Sequence, residues 1–351
     1  MGLLKRIFGN ISGDKYEVSA VSVDGCEEKE VSGEMEGKEK NGSEEEEEAV
    51  HDRKYKFETL RDDGLRAMQI GQTEYAVRCL SSALEYKDDN ESRLHLAEAY
   101  MKLYKGGEAL TQLEELLRRD EGNGQLYVMA AEAAEQMSNW ELMETYAQKA
   151  VDAMPEDDNA LYVLARCKYN REEYSETENL LTILIGRNEK YASVCQLRAR
   201  AFYEQKKYNE ALADLEYLIT NDRASEDTYL LKGIISQEVH DMQTAKDAYS
   251  KILELNPFSM EAVLRLAYIE VEESCPQKAL EYLDEAISLQ EDFAEAYMLR
   301  AKVKRLLQDE QGALEDENTA AHLTPREGMR NEENIEQKMN SYYKNLNPYG
   351  F

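Results

Sequence analysis

From Phe57 onwards apolar residues recur at intervals of three and four among Ala-, Leu-, Tyr- and Glu-rich stretches, which predicts a run of short amphipathic helices. The pattern also repeats on a longer scale. The segments EYAVRCLSSAL, GEALTQLEELL, NEALADLEYLI, QTAKDAYSKIL, QKALEYLDEAI and QGALEDENTAA align on Ala76, Ala109, Ala211, Ala245, Ala279 and Ala313. The separations are 33, 102, 34, 34 and 34 residues, and 102 is three periods of 34. Eight repeats therefore tile residues 57–327 without a gap. A fixed period of this size predicts units that stack on their neighbours, since none can bury its apolar face alone.

Each repeat reads as two helices, and some positions take only small residues. Position 8 is Gly64, Ala97, Ala131, Ala165, Ala199, Gly233, Ala267 and Ala301 in turn. Helices approach closely only where no bulky side chain intervenes. Position 20 is Ala except for Met143 and Thr177, and position 4 supplies bulk as Tyr127, Leu161, Tyr229, Val263 and Tyr297. Pro155, Pro257 and Pro325 fall at position 32, just past the second helix, and Pro276 falls where a second helix starts. Thr324-Pro325-Arg326-Glu327 has capping-box spacing and opens a last segment with the stripe Ile335, Met339, Tyr342, Leu346. That segment is expected to cap the final repeat.

Residues before Phe57 behave differently. MGLLKRIFGNI places Leu3, Leu4, Ile7, Phe8 and Ile11 on one helical face, with Lys5 and Arg6 elsewhere, the pattern of a short interfacial helix at an anionic surface. Residues 12–56 are Gly- and Ser-rich and carry the run Glu44 to Glu48, which predicts a disordered acidic linker. The expected division is thus 1–11 amphipathic, 12–56 linker, 57–327 repeats and 328–351 capping helix with tail.

Charge narrows the function. The 351 residues hold 42 Lys+Arg and 72 Asp+Glu, a formal net charge of −30, which argues against nucleic acid as a partner. Mean hydropathy is −0.70, and no apolar run reaches the ~18 residues a membrane span needs. No secretory signal precedes the repeats, and the five scattered cysteines, with no CxxC pair, read as free thiols in a reducing cytoplasm. The four histidines are far apart, no phosphate-cradling glycine loop occurs, and the carboxylates form no defined acid–base pair. No catalytic role, metal site or cofactor is therefore expected.

The period of 34, the small residue at position 8, the aromatic at position 11 (Tyr100, Phe202), Ala at 20, Leu or Tyr at 24 and Pro at 32 resemble tetratricopeptide repeats. The departures are Asp63, Lys232 and Arg300 at position 7, Glu317 at position 24, and Gly106-Gly107 at a turn. The resemblance implies an all-α, right-handed superhelical solenoid of antiparallel helix pairs whose first helices line a concave groove. It further implies that positions 2, 5, 9, 12 and 13 of the first helices face that groove. In repeats four and five these positions include Asn159, Tyr162, Arg166, Tyr169, Asn170, Gln196, Arg200 and Tyr203. Two guanidinium groups among tyrosines and amides suit a peptide bearing an acidic group. The competing reading is that Arg166 and Arg200 form structural ion pairs between turns. The carboxylate clamp of the co-chaperone subclass is absent, with Val128, Glu132, Tyr162 and Arg166 at its first positions.

The expected function is a non-enzymatic scaffold that binds a peptide or partner protein in the groove, in the cytoplasm. The alternative is an assembly factor held at the inner face of a membrane through Leu3, Leu4, Lys5, Arg6, Ile7 and Phe8.

Overall fold

The computed structural model describes residues 42–187 and 191–324, and among them there are sixteen α-helices and no strand. The membrane-contact candidates at residues 3–8 and the expected capping helix at 328–351 lie outside the described residues.

The helices come in pairs that match the repeats read from the period. Repeats one to four are α1 (Gly42–Gln69) with α2 (Thr73–Tyr86), α3 (Asn90–Lys102) with α4 (Gly106–Leu117), α5 (Gly124–Gln136) with α6 (Trp140–Ala153), and α7 (Asp158–Asn170) with α8 (Tyr174–Arg187). Repeats five and six are α9 (Ala192–Glu204) with α10 (Tyr208–Thr220) and α11 (Glu226–Glu238) with α12 (Met242–Leu255). Repeats seven and eight are α13 (Met260–Glu272) with α14 (Pro276–Leu289) and α15 (Ala294–Leu306) with α16 (Glu310–Leu323). The chain divides within α10 into two compact units, one ending at Asp214 and one beginning at Leu215. Consecutive helices pack from α1 to α9 in the N-terminal unit and from α11 to α16 in the C-terminal unit.

The small-residue positions are the tight crossings. Ala97, Ala131, Ala165, Ala199, Ala267 and Ala301 have no exposed surface. At Gly233 a Cβ would come within 2.4 Å of the Tyr249 ring, and at Gly64 within 2.8 Å of Leu80 Cγ. Position 20 is fully buried too, the exceptional Met143 and Thr177 included. Thr177 is tolerated there because its hydroxyl donates to the Glu173 carbonyl at 3.1 Å.

Polar residues set the helix ends. Asp89, Asn123 and Asp157 accept backbone N–H groups from Ser92, Leu126 and Ala160 at the starts of α3, α5 and α7. Asn139, Asp241 and Asp309 do the same for α6, α12 and α16. Pro276 occupies the first turn of α14, where its missing N–H costs nothing.

Between the helices of each pair runs one recurring turn that the sequence pattern does not announce. Residue 15 of every repeat has positive φ: Gly71, Tyr104, Ser138, Glu172, Lys206, His240, Ser274 and Gln308. The following N–H bonds back to the carbonyl of residue 11, as in Gln72 to Ala67, Lys105 to Tyr100 and Asp309 to Lys304. Residue 15 itself donates to residue 12, as in Glu172 to Tyr169. This is the Schellman arrangement, which satisfies the carbonyls that a helix end leaves open.

The linker expected over 12–56 needs correction at its end. Residues 42–56 are helical and continuous with the first predicted helix, so α1 starts fifteen residues before Phe57. Glu, Lys and Arg are strong helix formers, and Asp52–Lys56 pairs one turn apart at 2.9 Å. Arg53 Nε also donates to the Tyr86 carbonyl at 2.8 Å, tying this extension to the end of α2. Helical propensity and these bonds outweigh the mutual repulsion of the acidic residues.

Candidate partner-binding face

In the N-terminal unit first helices neighbour first helices, as α5 does α7 and α7 does α9. Their half-exposed residues form a polar face centred on Arg166. Its Nε lies 3.2 Å from Glu135 Oε1, its terminal nitrogen also meets the Glu135 carboxylate, and its other nitrogen stands 3.9 Å from Glu132 Oε1. Asn170 donates to Glu135 at 3.5 Å, and the Arg166 guanidinium sits 5.8 Å from the centroid of the Tyr162 ring. Burial lowers the Arg166 pKa from its ordinary value, with the Glu132 charge opposing. Burial likewise raises Tyr162, offset in part by a hydrogen bond with Ser193 and the charge of Arg200.

Glu132 is held loosely on this face. Its side chain is 32% exposed, and its contact with Arg166 at 3.9 Å is too long for a hydrogen bond. Burial raises its carboxyl above the usual range, and the Arg166 charge compensates only in part.

The sequence-predicted residues therefore divide. Tyr162, Arg166 and Asn170 are brought together with Glu132 and Glu135, and Arg200 reaches the surroundings of Tyr162. Tyr169 and Tyr203 instead pack on Tyr174 and Tyr208 across the turns of repeats four and five, with centroids 5.5 and 6.1 Å apart. Asn159 is exposed at the start of α7, and Gln196 is half-buried on α9. Glu132 and Glu135 were not among the predicted residues. They occupy positions 9 and 12 of repeat three, so extending the same positions by one repeat finds them.

Not every arginine belongs to this face. Arg198 makes a bidentate pair with buried Asp214 at 2.8 and 2.7 Å, and Arg300 makes the same pair with buried Asp316 at 2.8 and 2.7 Å. Both pairs join position 7 to position 23 of one repeat and hold its two helices together. Arg300, a departure from the repeat pattern at position 7, is thus matched by a buried partner.

The other candidate chemistry stays apart. His95 pairs with Glu98 at 2.9 Å on its own helix. Cys79, Cys167 and Cys195 are buried free thiols, and burial pushes Cys167 up to about 11. Among the described residues no group of three His, Cys, Asp or Glu side chains could hold a metal ion, and no helix is long and apolar enough to cross a membrane.

Helix pairs that recur every 34 residues, close at small-residue crossings and end in one shared turn define a helical-repeat protein. The comparisons with known proteins agree. Residues 136–218 match the family model for anaphase-promoting complex, cyclosome, subunit 3. The fold resembles a tetratricopeptide repeat protein from Parabacteroides merdae, with TM-score 0.53 and 14% identity over 71% of this chain and 96% of that one. It also resembles PilF of Pseudomonas aeruginosa, with TM-score 0.50 and 18% identity over 63% of this chain and 99% of that one. No curated protein matches the chain in sequence. The fold is that of tetratricopeptide-repeat proteins, with eight tandem helix pairs among the described residues.

Proposed function

We propose that the chain is a non-enzymatic scaffold that binds a polypeptide segment on the first-helix face of its N-terminal unit. Stacked helix pairs present long surfaces without a deep cavity, which suits adaptors. The observation that carries the reading is Glu132: a half-buried carboxylate beside a desolvated arginine, without a hydrogen bond to hold it. A fold built for stability alone gains nothing from such a group, whereas a ligand that supplies a donor would complete it. Tyr162 adds rigid contact area with a polar tip beside the charged groups.

The test is affinity capture with mass spectrometry, comparing wild type with Arg166→Glu/Arg200→Glu after circular dichroism has shown both to be folded. Proteins recovered with wild type and lost from the variant support the reading. The same proteins recovered equally with both would refute it.

A further inference from the structure

Residue 15 of the repeat turns is glycine or polar in seven repeats and aromatic in one. The exception is Tyr104, between α3 and α4, which is 84% exposed. In repeats four and five two tyrosines at positions 12 and 17 lie across the turn, Tyr169 on Tyr174 and Tyr203 on Tyr208. In repeat two those positions are Met101 and Gly106, so no such ring pair covers the turn. The neighbouring repeat keeps Gly106 small: a Cβ there would come within 2.4 Å of the Ala133 carbonyl oxygen and 3.1 Å of Met137 Cγ. The ends of α3 and α5 therefore meet beside this turn. The Met101 carbonyl accepts both the Tyr104 N–H at 3.1 Å and the Gln136 side-chain N–H at 2.9 Å. Met137, which adjoins Gln136 and packs against Gly106, is 45% exposed, so Tyr104 and Met137 open to solvent on one edge of the N-terminal unit. Lys102 and Lys105 flank Tyr104 in the chain. Both are exposed, and among the described residues neither ammonium lies in an ion pair.

We infer that this edge is a second docking surface, distinct from the first-helix face, and that it takes a polypeptide segment in which a large apolar side chain is flanked by carboxylates. The apolar side chain packs against Tyr104 and Met137, and the carboxylates meet Lys102 and Lys105. A tyrosine held at φ of 55° with its ring in water gains nothing for the fold from burial. Aromatic and methionine side chains of this kind are the residues that anchor partners. The sign of the partner follows from the charges: in a chain of net charge −30, two ammoniums without carboxylates beside exposed apolar groups are a local reversal. A lipid surface with anionic headgroups offers similar chemistry spread over a plane. The acidic excess of the whole chain opposes an extended anionic plane more than it opposes a short segment. Glu108, exposed in the first turn of α4, further confines the basic patch to this edge.

The experiment is selection from a random peptide library displayed on phage, run in parallel against full-length wild type, Tyr104→Ser and Lys102→Glu/Lys105→Glu, with folding checked by circular dichroism. Serine already holds the same turn conformation at Ser138 and Ser274, so Tyr104→Ser should fold. Wild type is expected to enrich peptides with an aromatic, Leu, Ile or Met between Asp or Glu residues, and Lys102→Glu/Lys105→Glu should lose the acidic preference. A synthetic wild-type-selected peptide should bind Tyr104→Ser about tenfold more weakly in fluorescence polarisation, the scale of one interfacial aromatic anchor. The same peptide should bind Arg166→Glu/Arg200→Glu as it binds wild type, which separates this edge from the first-helix face. No enrichment by wild type, or a selected peptide that binds the Tyr104 and lysine variants undiminished, would overturn the inference. Sedimentation with phosphatidylserine vesicles should be equal for wild type and Lys102→Glu/Lys105→Glu; a loss confined to the variant would overturn the polypeptide assignment in favour of a lipid surface.

Discussion

The two units share a packing plan and differ in what their first helices show outwards. In the N-terminal unit position 9 reads Leu65, Glu98, Glu132, Arg166 and Arg200; in the C-terminal unit it reads Ile234, Tyr268 and Lys302. Ile234 is buried, Tyr268 is 39% exposed and Lys302 is exposed, so this level of the C-terminal unit shows one aromatic and one charged residue in place of a run of four charges. Position 8, one residue away, is Gly or Ala in both units, and the Arg–Asp pair between positions 7 and 23 occurs in both. Packing fixes the residues that close a repeat and leaves the outward row free to diverge. The row is therefore where the outward surfaces of the units differ.

The largest effects should come from breaking what the units share. Removing one partner of a buried pair leaves the other charge uncompensated, at a cost of about 3 kcal/mol or more. Asp214→Ala and Asp316→Ala should both destabilise on that scale in denaturant unfolding. Arg300 would keep Asp284 at 2.7 Å but Lys304 would lose its carboxylate partner at 2.8 Å, while Arg198 would keep the Thr182 hydroxyl at 3.2 Å, so the two losses should be of similar size. Equal and negligible changes would show that these pairs do not hold the repeats.

Overpacking should come next. Ala165 is fully buried and Gly233 stands against the Tyr249 ring, so Ala165→Leu and Gly233→Leu should each cost about 1–3 kcal/mol, one in each unit. A wild-type melting temperature for either would refute the assigned crossing.

How much of this was legible beforehand follows the type of constraint. The crossings at positions 8 and 20 were readable because steric exclusion restricts the residue type itself. The turn at position 15 was not, because a left-handed residue usually announces itself as glycine and only Gly71 does so. In the other seven repeats the backbone bonds of the Schellman turn hold Tyr, Ser, Glu, Lys, His or Gln in that conformation. The extension of α1 was missed because the Glu run was read for its charge and not for its helix propensity. The carboxylate partners of Arg166 come from the preceding repeat, 31 and 34 residues away, and pattern within one helix cannot show them.

An acid titration separates the shared pair from the rest. Burial would raise Asp316, but its bonds to Arg300 and Lys304 and their charges together hold its carboxyl below the ordinary value of 3.8. A depressed folded pKa gives stability that is present above the unfolded pKa, about 3.9, and is lost as pH falls through the folded one. Wild type should therefore lose stability below about pH 4 more steeply than Asp316→Asn, whose deficit should be largest near neutrality. Parallel curves for the two proteins would contradict the ion-pair assignment.

The smallest effect concerns the turns. Lys206 has φ of 58° and Gln308 of 64°, so glycine at either relieves a left-handed side chain while loosening the unfolded chain. Lys206→Gly and Gln308→Gly should each shift stability by at most about 1 kcal/mol, towards stabilisation, in thermal melts. Marked destabilisation would show that the side chains themselves are needed at the turn.

The proposed distinction, that Glu132 serves binding while Glu135 serves folding, is tested most directly by the melting temperatures of Glu132→Gln and Glu135→Gln at pH 7. Glu135 anchors Arg166 and Asn170, so its loss should cost about 1–3 kcal/mol, or about 2–4 °C for each kcal/mol in a protein of this size. Glu132, whose carboxyl burial raises above its ordinary value of 4.5, carries a charge that the folded state disfavours. Glu132→Gln should therefore melt at or above the wild-type temperature. A fall for Glu132→Gln as large as that for Glu135→Gln would make Glu132 a structural residue and contradict the distinction.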